Sequence, residues 1–243
     1  MGTFSGLESS PAAVEVASLT YVCRTNLNLY KTPDLQGLVT QAAPGRYLQV
    51  LTPLPAGLAA PSALEVRLCE DDYPGWIRAI DRANLAPVLA PYQPVPLDRT
   101  AIADRLPQAI AFAQNAMVQP NTYLWGGTVG PNFDCSGLVQ TAFAAAGIAL
   151  PRDSYQQEAF TQSIEWSELL PGDLVFFGTS ERTKHVGLYL GEGWYIHSSG
   201  REQGRNGIGL DSLTDLSHPV SRTYHHQRRR PGRVMTSYCP RAL

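Results

Sequence analysis

The stretch FDCSGLVQTAFAAAG, Phe133 to Gly147, places a cysteine directly after an aspartate and directly before a run of helical character. Asp134 is a good N-cap, so Cys135 falls in the first turn of the predicted helix. Unpaired backbone N–H groups point outward there, and the helix dipole favours an anion. A thiolate is stabilised at such a position and its pKa falls. Ser136 and Gly137 are small and leave the sulfur approachable. The alternative is a buried structural cysteine at a helix start, and the local sequence does not separate the two.

A nucleophilic cysteine needs a base. The chain has five histidines, His185, His197, His218, His225 and His226. His185 opens the apolar run HVGLYLG and His197 closes the run WYIH, with Gly191-Glu192-Gly193 between them. With a three-residue loop, Leu190 pairs with Trp194 and His197 with Gly187. His185 is then the diagonal neighbour of His197 on one sheet face. A two-residue loop would move His197 to the other face. In the first register His185 can face the sulfur as base, with His197 behind it as the orienting third group. The competing possibility is two partly buried histidines at strand ends. His218, His225 and His226 lie in polar, irregular sequence and read as surface residues.

The elements around these residues fall into two halves. Ala86 to Asp98, APVLAPYQPVPLD, holds four prolines and reads as an extended, semi-rigid linker. It divides the chain into residues 1–86, a linker over 87–99, and residues 100–243. Before it, Thr20 to Cys23, Leu27 to Tyr30, Tyr47 to Leu51, Leu64 to Cys69 and Gly75 to Ile80 are short strand-like runs, a pattern that predicts a small barrel. After it, Ile102, Leu106, Ile110 and Ala113 recur at helical steps, with Pro107 as a break. The Cys135 helix follows and stops at Gly147. DLVFFG, HVGLYLG and WYIHSS then read as strands. Helices followed by antiparallel strands predict an α+β domain.

Composition narrows the function. Of 243 residues, 44% are hydrophobic and 16% charged, with a net charge of −2. That suits a globular protein with a substantial core and gives no overall attraction to nucleic acid or an anionic membrane. Arg228-Arg229-Arg230, with Arg233, reads as a solvated tail in preference to a phosphate patch, because no aromatic platform accompanies it. The N-terminal stretch has no positive n-region and no long apolar run, and no segment is apolar enough to span a membrane. The expected location is the cytoplasm. Cys23, Cys69, Cys135 and Cys239 match no zinc spacing. Cys23 and Cys69 sit in apolar runs and read as small buried hydrophobes, with a bridge between them as the alternative.

In order along the chain, YLWGG…FDCSGLVQTAF, LPRDS, LLPGDLVFF, HVGLYLG and YIHSSG resemble the NlpC family of papain-like cell-wall peptidases. The match spans most of Leu106 to Val234. LNLYKTPDLQGLVTQAAPGRYLQVL followed by YPGWIRAIDRANL resembles a bacterial SH3-like domain. Together the two halves resemble the cyanobacterial γ-D-glutamyl-L-diamino acid endopeptidases. The resemblance implies an α+β papain-like peptidase domain preceded by a small all-β SH3-like barrel. It implies Cys135 as nucleophile, His185 as base and His197 as the orienting third residue, with no metal and no cofactor. It also implies a substrate: murein peptides with a free N-terminal L-Ala, cut between D-Glu and a diamino acid, typically meso-diaminopimelate. By resemblance Asp134 and Tyr73 hold the alanine amine, and Ser136, Ser154 and Tyr123 match other substrate contacts. Tyr73 has an alternative as an aromatic on the barrel surface. The expected role is murein-peptide recycling. The alternatives are a secreted hydrolase of intact murein and a non-catalytic wall-binding protein.

Overall fold

The first half is built from short strands whose alternate residues turn inward. The computed structural model describes residues 20–51, 61–90 and 92–240, so the N-terminal stretch examined for targeting signals lies outside the described residues. The strands are β1 (Thr20–Cys23), β2 (Leu27–Tyr30), β3 (Leu38–Ala42), β4 (Tyr47–Val50), β5 (Ala63–Leu68), β6 (Pro74–Arg78) and β7 (Leu85–Pro87). They pair in the spatial order β3-β2-β6-β5-β4-β1-β7, antiparallel throughout. In β5, Leu64, Val66 and Leu68 are buried while Glu65 and Arg67 lie nearer solvent, the period of two that one covered sheet face requires. These residues join Tyr21, Leu27, Leu29, Leu48, Ile77 and Leu85 in one core. Burying each large aliphatic side chain contributes about 1.5–3 kcal/mol. Seven strands around one core make the expected small SH3-like barrel.

Two of its strands, β3 and β7, were not legible in the sequence. β7 takes Leu85 to Pro87 out of the proline-rich segment and pairs them with β1. Pro87 ends that strand, where a missing N–H is tolerated. Further along the segment, Tyr92 packs on Tyr47 with ring centroids 5.6 Å apart. Cys23 and Cys69 are free thiols. Their N–H groups donate to the carbonyls of Arg46 and Tyr47, from opposite sides of β4. Two strand spacings, about 9–10 Å, separate them, which is beyond disulfide reach.

The second half comprises α1 (Arg99–Ala103), α2 (Leu106–Met117), β8 (Thr128–Val129), β9 (Asn132–Phe133), α3 (Cys135–Ala145), α4 (Ser154–Phe160), β10 (Gln162–Ser163), β11 (Leu174–Gly178), β12 (Thr183–Gly191), β13 (Trp194–Ser199), β14 (Gly207–Ser212), α5 (Pro219–His226) and β15 (Arg228–Arg233). Six strands form an antiparallel sheet in the order β10-β15-β11-β12-β13-β14. The predicted long helix is two pieces, with Pro107 in the first turn of α2, where its missing N–H costs nothing. Ile102, Ala109 and Ala113 pack with Leu138, Val139 and Phe143 of α3 on Phe176, Val186, Leu188 and Ile196 of the sheet. The opposite face carries Val175, Phe177, Tyr189 and Tyr195 under Val220 and Tyr224 of α5. Among the described residues, no helix is long and apolar enough to cross a membrane.

Several C-terminal expectations are corrected here. The polar sequence around His218, His225 and His226 is not irregular: His218 caps α5, and His225 and His226 form its last turn. His218 and His226 are exposed, as expected. The arginine run is not a solvated tail. It is β15, lying between β10 and β11. Arg229 Nε donates to Glu158 Oε1 at 3.0 Å, and Arg233 grips both oxygens of Asp173 at 2.9 and 2.7 Å.

Candidate active site

The β12–β13 hairpin decides where the histidines point. Leu188 pairs with Ile196 and Tyr189 with Tyr195, the expected register. The tip differs from expectation. Gly191, not Leu190, pairs with Trp194, and the turn is the two-residue Glu192-Gly193, with φ of 52° and 81°. Such a turn alone would put His197 on the wrong face. Leu190 is an extra, bulged residue that absorbs the offset, so both rings keep one face. His185 Nε2 lies 2.6 Å from His197 Nδ1, and the rings stand at 82° to each other.

Behind His197 stands Asp211, which was not among the sequence candidates. β14 pairs with β13 so that Gly209 opposes His197 and Asp211 opposes Tyr195. Asp211 is therefore the diagonal neighbour of His197. Its Oδ2 lies 2.8 Å from His197 Nε2. Arg205 donates to the same oxygen through Nη2 at 2.6 Å and Nε at 3.1 Å. Ser221 Oγ donates to Oδ1 at 2.8 Å. Burial works against the charge, but the hydrogen bonds from His197 and Ser221 and the Arg205 charge outweigh it and bring Asp211 down to about 2. GIGLDS was not among the predicted strands; a third strand beside WYIHSS is the signal that would have found Asp211. Tyr224 of α5 stacks on His185 with centroids 4.3 Å apart. Burial lowers the pKa of both imidazoles below the usual 6.5, that of His185 furthest.

Cys135 is the first residue of α3, as predicted, and Asp134 Oδ1 caps the helix by accepting from the Gly137 N–H at 2.7 Å. The tight approach of this helix start to the Tyr123–Gly127 loop requires Gly137: a Cβ there would lie 2.0 Å from the Gly127 carbonyl oxygen. The thiol does not have the lowered pKa expected of a helix start. Burial, at 6% exposure, pushes it up to about 12, and the Asp134 carboxylate acts in the same direction. The N–H groups of Val186 and Ser136 reach the sulfur and pull the other way without winning. The Val186 contact brings the middle of β12, and with it the neighbouring His185, to Cys135. Burial thus acts against the charged form of both partners, raising the thiol and lowering the imidazole.

A cleft of about 630 Å³ opens above Cys135. Tyr73, Tyr123, Asp134, Ser136 and Ser154 all line it, so the structure brings the sequence candidates together at one place. The barrel supplies part of the wall through Lys31, Val39 and Tyr73. Tyr73 faces the cleft, and its hydroxyl donates to Asp153 at 3.3 Å. Asp134, however, is not free to hold an amine. Arg152, 1% exposed, donates to both its oxygens at 3.1 and 2.6 Å, and the Gly126 N–H adds a bond of 2.8 Å. Arg152 also donates to Ser136 Oγ and to Thr40 Oγ1 of the barrel, each at 3.0 Å. The carboxylate left facing the cleft is Asp153, next to the sequence candidate Ser154. Among the described residues, no three His, Cys, Asp or Glu side chains are grouped to hold a metal ion.

Residues 120–230 match the NlpC/P60 family, and residues 29–81 match the bacterial dipeptidyl-peptidase Sh3 domain. Over 91 residues, 37% of this chain and 18% of the relative, the sequence is 44% identical to a probable endopeptidase p60 of Listeria monocytogenes. Over 81 residues, 32% of this chain and 25% of the relative, it is 48% identical to the bifunctional muramidase/DL-endopeptidase CwlT of Bacillus subtilis. The chain thus spans a quarter or less of the length of these relatives. A crystal structure of an NlpC/P60 family protein from Bacillus cereus is 20% identical, with a TM-score of 0.48, covering 92% of this chain and 65% of that one. Residues 120–230 are an NlpC/P60 domain of α+β papain-like fold, and a bacterial SH3 domain precedes it.

Proposed function

We propose that the protein is a cysteine endopeptidase that hydrolyses the bond between γ-D-Glu and a diamino acid, meso-diaminopimelate, in murein peptides with a free N-terminal L-Ala. The observation that carries this is a helix-start cysteine at the foot of a cleft, beside two imidazoles joined at 2.6 Å. The Cys135 sulfur attacks the γ-glutamyl carbonyl and its proton passes to His185. The Cys135 backbone N–H donates to the developing oxyanion. His185 returns the proton to the leaving amine. Water then hydrolyses the thioester and restores the thiol.

Charge around the cleft supports the substrate. Asp153, hydrogen-bonded to Tyr73, offers a carboxylate to the alanine ammonium. Lys31, Arg182 and Lys184 lie on the rim, with the Arg182 guanidinium 4.5 Å over the Tyr155 ring. These cations suit the free carboxylates of D-Glu and the diamino acid. In intact murein the alanine nitrogen is an amide with no charge, and Asp153 would be left without its partner. The cleft therefore favours released peptides, which fits recycling and a cytoplasmic setting.

The test compares L-Ala-γ-D-Glu-meso-diaminopimelate with its N-acetylated form. The free-amine peptide is expected to have a kcat/KM about 100-fold higher, and Asp153→Asn is expected to erase most of that preference. Equal cleavage of both peptides by the wild type would sink the amine requirement and favour a hydrolase of intact murein.

The buried imidazoles also predict a pH profile. A base held below pKa 6.5 stays unprotonated where free imidazole is half-charged. The titratable groups in contact with His185 are His197 and Tyr224, and the N–H of the next residue, Val186, reaches the Cys135 sulfur. The acid limb of kcat/KM is expected below pH 6.5; a limb centred above 6.5 would contradict the assignment.

A further inference from the structure

We propose that Asp211 sets the tautomers of both imidazoles, and so makes Nδ1 of His185 the base that faces Cys135. The catalytic part of this rests on the peptidase function proposed above; the tautomers themselves do not.

The inference follows from what each atom can do. An ionised carboxylate only accepts hydrogen bonds. Asp211 is 1% exposed and receives donors from Arg205 and Ser221, which keep it ionised. The remaining neighbour of its Oδ1 is His218 Nδ1 at 3.4 Å, which accepts from the Val220 N–H as the helix cap and does not compete as a donor. Facing Asp211 Oδ2 at 2.8 Å, His197 Nε2 must carry the proton. A neutral His197 then has a bare lone pair on Nδ1. Across the 2.6 Å contact, His185 Nε2 must therefore donate. That leaves the lone pair of neutral His185 on Nδ1, away from His197. The other polar group near that atom is the Tyr224 hydroxyl, at a long 3.5 Å. One carboxylate two rings away thus decides which nitrogen can take the thiol proton.

The same chain supports the charge that follows. When His185 takes the proton from Cys135, its Nε2–H still points at His197, whose Nε2–H still points at the carboxylate. Asp211 touches neither sulfur nor substrate. It is a positioning residue acting through His197, and its loss should show in kcat and in the ring tautomers more than in KM.

The test uses the full chain labelled with ¹⁵N-histidine. In the wild type at pH 7.5, NMR is expected to show unprotonated Nδ1 and protonated Nε2 on both His185 and His197. Asp211→Leu removes the acceptor at similar volume and should mix or reverse these tautomers. It should lower kcat about 10³-fold or more, with KM within a few-fold, and slow Cys135 alkylation by iodoacetamide. Asp211→Asn keeps an acceptor oxygen for Arg205 and His197; it should retain the tautomers and lose less. A wild-type His185 protonated on Nδ1, or an unchanged tautomer pattern in Asp211→Leu, overturns the proposal. If Asp211→Leu does not fold, the wild-type spectrum and the Asn variant decide it. Correct tautomers in a protein that cleaves no murein peptide would leave this inference standing and remove the peptidase function.

Discussion

Replacing Cys135 by alanine is expected to lower peptide hydrolysis about 10⁴-fold or more while leaving the fold intact. The sulfur is the proposed nucleophile, and the described site holds no second thiol: Cys23 and Cys69 lie in the barrel and Cys239 is exposed. The fold should survive because Cys135 does not hold the helix start together. The cap is the Asp134 carboxylate with the Gly137 N–H, and the close packing is Gly137 on Gly127. Deleting one sulfur leaves a small cavity, worth about 1 kcal/mol. Cys135→Ser should be nearly as inactive, because a hydroxyl is far harder to deprotonate and the buried His185 is a weak base. Hydrolysis rates beside a thermal melt check both. Activity within tenfold of wild type in Cys135→Ala would require a different nucleophile.

Arg152→Ala is expected to cost about 3–5 kcal/mol of stability. Arg152 is a fully buried cation that meets Asp134 with two hydrogen bonds, Ser136 with a third and Thr40 of the barrel with a fourth. Removing it strands the Asp134 carboxylate in the interior with only neutral donors left. It also cuts a link between β3 and the start of α3, so the barrel wall of the cleft should loosen. Elsewhere along the seam, Gln140 donates to Asp71 at 2.8 Å, and Gln41 and Thr128 exchange bonds at 3.0 and 2.7 Å. Arg152→Lys should recover little, since one ammonium cannot span both carboxylate oxygens and the barrel hydroxyl. Urea unfolding measures the loss, and a cycle with Asp134→Asn isolates the pair. A loss below about 1 kcal/mol would mean that Arg152 is not the tie described.

The legible parts of the molecule are those whose cause is local. Asp134 before CSG announces a capped helix because the cap bond spans only three residues. HVGLYLG and WYIHSS announce strands because their apolar runs are unbroken. The shared face of His185 and His197 followed from hairpin register, although the structure reaches it through a bulge at Leu190 that no short-range rule demands. The hidden parts are those whose cause is distant. β15 looks like a tail because its arginines find Glu158 and Asp173 some seventy and sixty positions away. β14 carries no clear strand signal because its glycines weaken the pattern, and without that strand nothing points to Asp211. Asp134 looked available to a ligand because nothing in FDCSG shows that Arg152 will occupy it. The barrel wall of the cleft likewise depends on Thr40 meeting Arg152 across 112 positions.

The most direct test of the central claim is the product of one reaction. The protein and its Cys135→Ala variant are each incubated with L-Ala-γ-D-Glu-meso-diaminopimelate, and the products are followed by mass. Release of L-Ala-D-Glu and free diaminopimelate by the wild type, and by the variant not at all, is the predicted result. An intact tripeptide after incubation with folded wild-type protein, or cleavage at the L-Ala–D-Glu bond instead, would contradict it.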